Sequence, residues 1–110
     1  RPPPARPPPK GDRSVSAYVI VELEVTNPEE YAAYGPLAEA SVTRHAGRFI
    51  VRGGEFEVLE GEWAPRMIVL EFESLDAVRS WYHSDDYQAC LPMRLSTTKG
   101  RMIAVEGYAP

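Results

Sequence analysis

The chain has 110 residues, one cysteine and a net charge of −4, which describe one small domain with no intrachain disulfide framework. That charge divides into +3 over residues 1–16 and −7 over the remaining 94, so the body repels nucleic-acid backbones and carries no basic stripe to offset this. No apolar run approaches the roughly 18 residues that a membrane span requires, and the start lacks a signal peptide's apolar centre. A reducing, cytoplasmic setting is the expectation.

Six of the first nine residues are proline. Proline fixes φ and removes backbone donors, so residues 1–16 form an extended, basic arm, and the folded domain is expected over 17–110. Arg1-x-x-Pro4-x-x-Pro7 also fits the pattern that proline-reading domains accept, which makes an adaptor role the lesser alternative.

Ala17 to Thr26 is rich in β-branched residues and reads as a strand. Val19, Val21, Leu23 and Val25 make one apolar face, opposite a mixed face of Tyr18, Ile20, Glu22 and Glu24. Asn27-Pro28-Glu29-Glu30 then opens a helix: a cap, a proline at the first helical position and acids at the positive end of the dipole. Tyr31, Tyr34, Ala38, Val42 and His45 recur at helical spacing. Gly35-Pro36 predicts a kink or two short segments, and Gly47 a C-cap.

Arg48 to Arg52 predicts a second strand, with Phe49 and Val51 on one face and Arg48, Ile50 and Arg52 on the other. Gly53-Gly54 should bend or bulge it, followed by extended chain to Gly61 and a turn at Glu62-Trp63-Ala64-Pro65. Arg66 to Glu73 is a third strand, its Ile68, Leu70 and Phe72 opposing Met67, Val69 and Glu71. Ser74 caps a short helix bearing Val78, Trp81 and Tyr82. Ser84 caps another bearing Tyr87, Cys90 and Leu91, which Pro92 should kink or end. Gly100 to Tyr108 is the last strand, with Ile103 and Val105 opposite Met102, Ala104, Glu106 and Tyr108.

The order β-α-β-β-α-β, with one apolar and one mixed face on each strand, predicts an α+β fold. It is the ferredoxin-like antiparallel sheet with helices packed on one face. The other face would present Tyr18, Ile20, Ile50, Met67, Val69 and Met102 to water. Two copies joining these faces would close a homodimeric α/β barrel.

The segments Tyr18-Val19-Ile20-Val21, Arg48-Phe49-Ile50-Val51-Arg52-Gly53-Gly54, Val58-Leu59-Glu60-Gly61 and Val69-Leu70-Glu71-Phe72 recur in one order with Trp81-Tyr82-His83-Ser84-x-x-Tyr87-x-x-x-Leu91-Pro92-x-Arg94. Together they resemble the domain of unknown function 1330 family of the dimeric α/β-barrel superfamily, over about residues 17 to 108. The resemblance implies a ferredoxin-like homodimer. It does not name a reaction, since relatives in the wider superfamily include cofactor-free monooxygenases, lactone isomerases, polyketide cyclases and haem-linked enzymes, and fold does not fix function.

His83 is the candidate catalytic residue. It sits at an element boundary after two aromatics, and an imidazole titrates near neutrality, with Asp85 or Asp86 placed to orient it. The structural alternative is a cation ending a helix, the role also expected of His45. Arg52 is the candidate anchor for a ligand's carboxylate or enolate; the structural alternative pairs it with Glu71 to fix a dimer. Tyr18, Glu71, Trp81 and Tyr87 complete the candidate ligand contacts, and Tyr31, Tyr34 and Tyr82 could extend an aromatic pocket. Cys90 reads as apolar filler, and no spacing suits a metal. Two readings stand side by side. One is a cofactor-independent isomerase, cyclase or monooxygenase-like enzyme using acid/base chemistry on an aromatic, enolisable or lactone-like metabolite. The other is a non-catalytic ligand-binding or structural homodimer.

Overall fold

The computed structural model describes residues 15–109. The proline-rich segment and its proline-reading motif therefore lie outside the described residues. The elements follow the order β1 (Ala17–Val25), α1 (Pro28–Arg44), β2 (Arg48–Arg52), β3 (Arg66–Phe72), α2 (Leu75–Tyr82), α3 (Asp85–Thr97) and β4 (Thr98–Glu106). The strands form one antiparallel sheet in the order β2-β3-β1-β4, the ferredoxin-like arrangement.

Alternation decides which side of the sheet carries the helices. Ala17, Val19, Val21 and Leu23 of β1 and Ile68, Leu70 and Phe72 of β3 are buried, while the residues between them are half-buried or exposed. Tyr34, Ala38 and Val42 of α1, Val78 and Trp81 of α2, and Tyr87, Cys90 and Leu91 of α3 complete the core above that face. Asn27, Ser74 and Ser84 cap the three helices as their sequence positions require, each side-chain oxygen accepting a backbone N–H of the first turn.

Both internal prolines lie inside continuous helices, so of the two expected outcomes at each, the split at Gly35-Pro36 and the stop at Pro92 do not occur. Helix α1 runs through Gly35-Pro36 as one 17-residue segment, and α3 runs through Pro92 to Thr97. Pro36 and Pro92 are exposed, as are Ala32 and Gln88, whose carbonyls lose their intrahelical donors. Water can satisfy those carbonyls, while buried residues on both sides of each proline hold the helix to the sheet. The end of α1 also differs. Ala46, with φ 62°, takes the left-handed position, and Gly47 follows it with its N–H donating to the Val42 carbonyl at 2.9 Å.

Two strand assignments change face. In β2 the register slips between Phe49 and Val51: Phe49 lies opposite Leu70, Val51 opposite Val69 and Arg52 opposite Ile68. The extra residue, Ile50, reverses the alternation, so Arg52 lies on the helix side and Val51 on the open side. The expected bend is present at Gly53, with φ +70° directly after β2, and the bulge at Ile50 is a further irregularity three residues earlier. In β4, Met102 lies opposite Val21 and Ala104 opposite Val19, which places Met102, Ala104 and Glu106 on the helix side. Ile103 and Val105 face outward, contrary to expectation. Gly100 shares the inward side, where a Cβ would come within 2.2 Å of the Glu22 carbonyl oxygen. That register suits small residues where the edge strand approaches β1 most closely.

The open face therefore carries Tyr18, Ile20, Val51, Met67, Val69, Ile103 and Val105. Two ion pairs lie on it. Glu71 accepts from Arg48 Nε at 2.8 Å and from the Tyr18 hydroxyl at 3.4 Å, and Glu22 pairs with Arg101 and accepts the Ala64 N–H at 2.9 Å. Between β2 and β3, Phe56, Val58, Leu59 and Trp63 are exposed.

Candidate functional site

The helices do not seal the sheet completely. A cavity of about 70 Å³ remains between the helix-side face and α1. Val21, Leu23, Ile68 and Leu70 form its apolar floor, and Tyr31, Tyr34, Ala38 and Val42 its α1 wall. Phe49, Met102 and the fully buried Trp81 complete the apolar lining. Into this enclosure come three guanidinium groups, from Arg52, Arg66 and Arg94. Among the described residues no carboxylate lines it.

Each arginine arrives by a different route. Arg52 reaches the helix side through the β2 bulge, where it lies over the Phe49 ring at 4.3 Å and pairs with the exposed Glu39 at 3.0 Å. Arg66 opens β3 opposite Leu23, on the apolar face. Its guanidinium occupies space that Gly53 leaves vacant: a Cβ there would stand 2.5 Å from Arg66 Nη1, and Gly53 has φ +70°. Arg66 Nε is buried without a hydrogen-bond partner among the described residues. Arg94 lies on the buried face of α3 and is only 7% exposed.

A hydroxyl chain links Arg94 to α1. Arg94 Nε donates to the Tyr87 hydroxyl at 3.3 Å, and the Tyr87 and Tyr34 hydroxyls are 2.7 Å apart. The Tyr87 hydroxyl oxygen thus accepts from Arg94 and shares a hydrogen bond with the Tyr34 hydroxyl, which ties the α1 wall of the cavity to α3. Burial pushes both phenols above their ordinary range, and for Tyr34 the neighbouring Tyr87 adds to the shift. They stay neutral near pH 7 and act as hydrogen-bond donors, not bases. Trp81 is held by its indole N–H, which donates to Ser41 Oγ at 3.0 Å; Ser41 in turn donates to the Ala38 carbonyl at 2.8 Å. The cavity thus offers aromatic walls and guanidinium N–H donors, and among the described residues its lining holds no carboxylate or imidazole.

A second, shallower cleft of about 230 Å³ lies between α2 and β4, lined by Val19, Val78, Arg79, Tyr82, His83 and Ile103. Trp81 and Met102 line both spaces.

The structure divides the expected site residues among three places. Arg52 and Trp81 line the cavity, with Tyr31 and Tyr34. Tyr87 is buried behind it and reaches the lining through Tyr34 and Arg94. His83 and Tyr82 belong to the second cleft, where His83 is exposed and meets the Tyr82 ring edge-on at 5.2 Å. Neither aspartate orients it: Asp86 pairs with Arg44, and no carboxylate bonds the His83 ring among the described residues. Tyr18 and Glu71 lie together on the open face of the sheet, away from both spaces, and the partner of Glu71 is Arg48 and not Arg52. His45 takes its capping place, its ring nitrogen 2.9 Å from the Ser41 carbonyl. Cys90 is buried, and loss of solvent raises its thiol. Among the described residues no cluster of three or more His, Cys, Asp or Glu could hold a metal, and no helix is long and apolar enough to cross a membrane.

Arg66 and Arg94 are the cavity residues that sequence reasoning missed. Each had a signal. Arg66 occupies the apolar phase of the Arg66-Ile68-Leu70-Phe72 alternation, and Arg94 follows Tyr87 by seven residues and Leu91 by three, within a buried helical stripe. A cation in an apolar phase is the informative exception.

Residues 16–108 match the family model described as a domain of unknown function, DUF1330. The chain belongs to the DUF1330 family. Solved structures agree on the fold of this DUF1330 protein. The RPA0582 protein of unknown function from Rhodopseudomonas palustris is similar with TM-score 0.72 and 18% identity, over 89% of this chain and 86% of that one. SnoaB, a cofactor-independent oxygenase from Streptomyces nogalater, gives TM-score 0.61 and 12% identity, over 87% and 96% of the two chains. A dimeric ferredoxin-like protein of unknown function from Thermobifida fusca gives 0.51 and 13%, over 88% and 92%. No curated protein matches the DUF1330 sequence.

Proposed function

We propose that this DUF1330 protein is a homodimer that binds an aromatic or enolisable small molecule in the cavity between the sheet and α1. The observation that carries this reading is the cavity itself. Trp81, Tyr34, Tyr31 and Phe49 wall a space at which polar donors arrive from two strands and a helix. Such a combination of apolar enclosure and few polar groups suits a ligand better than it suits a packed core. Arg52 and Trp81 contact the ligand, and Tyr87 acts through Tyr34 and Arg94.

The homodimer reading rests on the open face, whose apolar side chains have no cover within one chain. Tyr18 and Glu71 belong to that interface, with Arg48 in the bridging role first considered for Arg52. The dimeric ferredoxin-like protein from Thermobifida fusca supports self-association through this fold. Burial of the one cysteine is in keeping with a cytoplasmic setting.

A second reading, cofactor-independent catalysis, has one observation in its favour. His83 lines the neighbouring cleft, separated from the cavity by Trp81 and Met102, which line both. A substrate reaching past Trp81 would bring an acidic C–H to the imidazole, while the cavity donors stabilise the enolate that forms. That SnoaB is a cofactor-independent oxygenase is in keeping with such chemistry on this fold.

Ligand screening by thermal shift and tryptophan fluorescence tests the binding reading. Small aromatic and enolisable compounds should raise Tm and change the emission of the buried Trp81. Ala38→Leu, which fills the cavity from α1, should abolish both responses. Equal responses in the filled variant would place the site elsewhere and overturn the reading.

A further inference from the structure

We propose that the ligand of this cavity is a small monocarboxylate, its carboxylate held by Arg94 and Arg66 and its apolar body packed against the aromatic wall. This rests on the reading that the cavity is the ligand site, and it adds the chemical class of the ligand.

The charge balance of the lining carries the inference. A buried guanidinium is costly unless an anion and hydrogen bonds compensate it. Arg94 is 7% exposed, and its one hydrogen-bond partner among the described residues is a neutral phenol. Arg66 has a buried Nε with no hydrogen-bond partner among the described residues. Arg52 is the only one of the three paired with an acid, and that acid, Glu39, is exposed and lies outside the lining. Elsewhere the pattern is the opposite: Arg44, Arg48, Arg79 and Arg101 each pair with a carboxylate. A chain with 16 acidic residues and a net charge of −4 has acids to spare, yet none of those among the described residues lines this cavity. The missing negative charge belongs to a ligand.

Geometry narrows the anion. Guanidinium forks match the two oxygens of a carboxylate. A space of about 70 Å³ floored by Val21, Leu23 and Ile68 admits a short apolar body and excludes a large polyanion. A neutral ligand would leave the guanidiniums uncompensated. Phosphate would fill the polar end and leave the apolar floor uncovered.

The test uses the intact chain and monocarboxylates from acetate to butyrate, with the matching amides and inorganic phosphate as comparisons. Carboxylates should raise Tm and perturb Trp81 emission, amides should bind at least about tenfold more weakly, and phosphate should have no effect. Arg94→Gln keeps a donor for Tyr87 but removes the charge. It should weaken carboxylate binding by at least about tenfold while leaving the unliganded Tm unchanged or higher, because an uncompensated buried charge is gone. Arg66→Gln, at a half-buried position, gives the same readout should Arg94→Gln fail to fold.

Amides binding as well as carboxylates, with Ala38→Leu abolishing both, would overturn the carboxylate class and keep the cavity. Tighter binding of phosphate would replace the class. Carboxylate binding unaffected by Ala38→Leu would overturn the cavity and the class together, whereas failure of every carboxylate to bind at millimolar concentration would overturn the class alone and leave the cavity to the screen of aromatic and enolisable compounds.

Discussion

Trp81 separates the two spaces of this protein, so the bond that orients it is the most informative single contact to break. Its indole N–H donates to Ser41 Oγ at 3.0 Å, and both residues are 1% exposed. Ser41→Ala removes the acceptor and leaves a donor buried without a partner, which costs about 1–3 kcal/mol. Taking about 2 kcal/mol, with about 4–8 °C per kcal/mol for a domain of this size, Tm should fall by about 8–16 °C. The assay is thermal or urea unfolding at one fixed protein concentration, so that self-association does not confound the comparison. Trp81→Phe lowers stability by a different route, through lost volume beside Phe72 and Tyr87, whose rings lie 5.3 and 4.3 Å from the indole. In that background Ser41→Ala orphans no donor and should cost only about 0.5 kcal/mol, giving a coupling energy of about 1–2 kcal/mol. Additivity within about 0.5 kcal/mol would refute the claim that this hydrogen bond fixes Trp81.

Other consequences can be checked with the same protein. Arg52→Ala should leave the oligomeric state unchanged by light scattering, because Arg52 lies on the helix side, whereas Ile103→Glu on the open face should shift a dimer towards monomer. Gly53→Ala should cost about 1–2 kcal/mol in urea unfolding, because Gly53 has φ +70° and a Cβ would press on Arg66. Gly54→Ala, where a Cβ meets nothing within 4 Å, should stay within about 0.5 kcal/mol of the parent. Arg48 holds the Glu71 carboxyl below its ordinary value of 4.5, and the Ala64 N–H and Arg101 do the same for Glu22. Both groups therefore contribute stability that is present above about pH 4.5 and lost as pH falls through their folded-state values. Glu71→Gln should flatten the acid limb of a Tm-against-pH profile and leave its neutral part nearly level.

Local signals in the chain were enough to place the caps at Asn27, Ser74 and Ser84, the alternation of β1 and β3, and the ferredoxin-like order of elements. Each depends on residues within one or two turns of each other, where the side-chain period and the need to satisfy helix-end donors act directly. The aromatic wall was legible too, since Tyr31, Tyr34 and Trp81 fall on helical stripes that had to meet the sheet. Tertiary structure decided what lies on the two edge strands. A bulge at Ile50 turned Arg52 from the open face to the cavity, and the β1–β4 register turned Met102 inward and Ile103 outward. An edge strand is paired on one side only, so its own alternation allows either face until the neighbouring strand sets the register. Neither proline ends its helix, because packing across a whole helix outweighs one missing hydrogen bond on its wet side. The three arginines of the cavity come from residues 52, 66 and 94, far apart in the chain. Their convergence without an acid is a property of the folded molecule, because charge compensation depends on distance in space and not on separation in sequence.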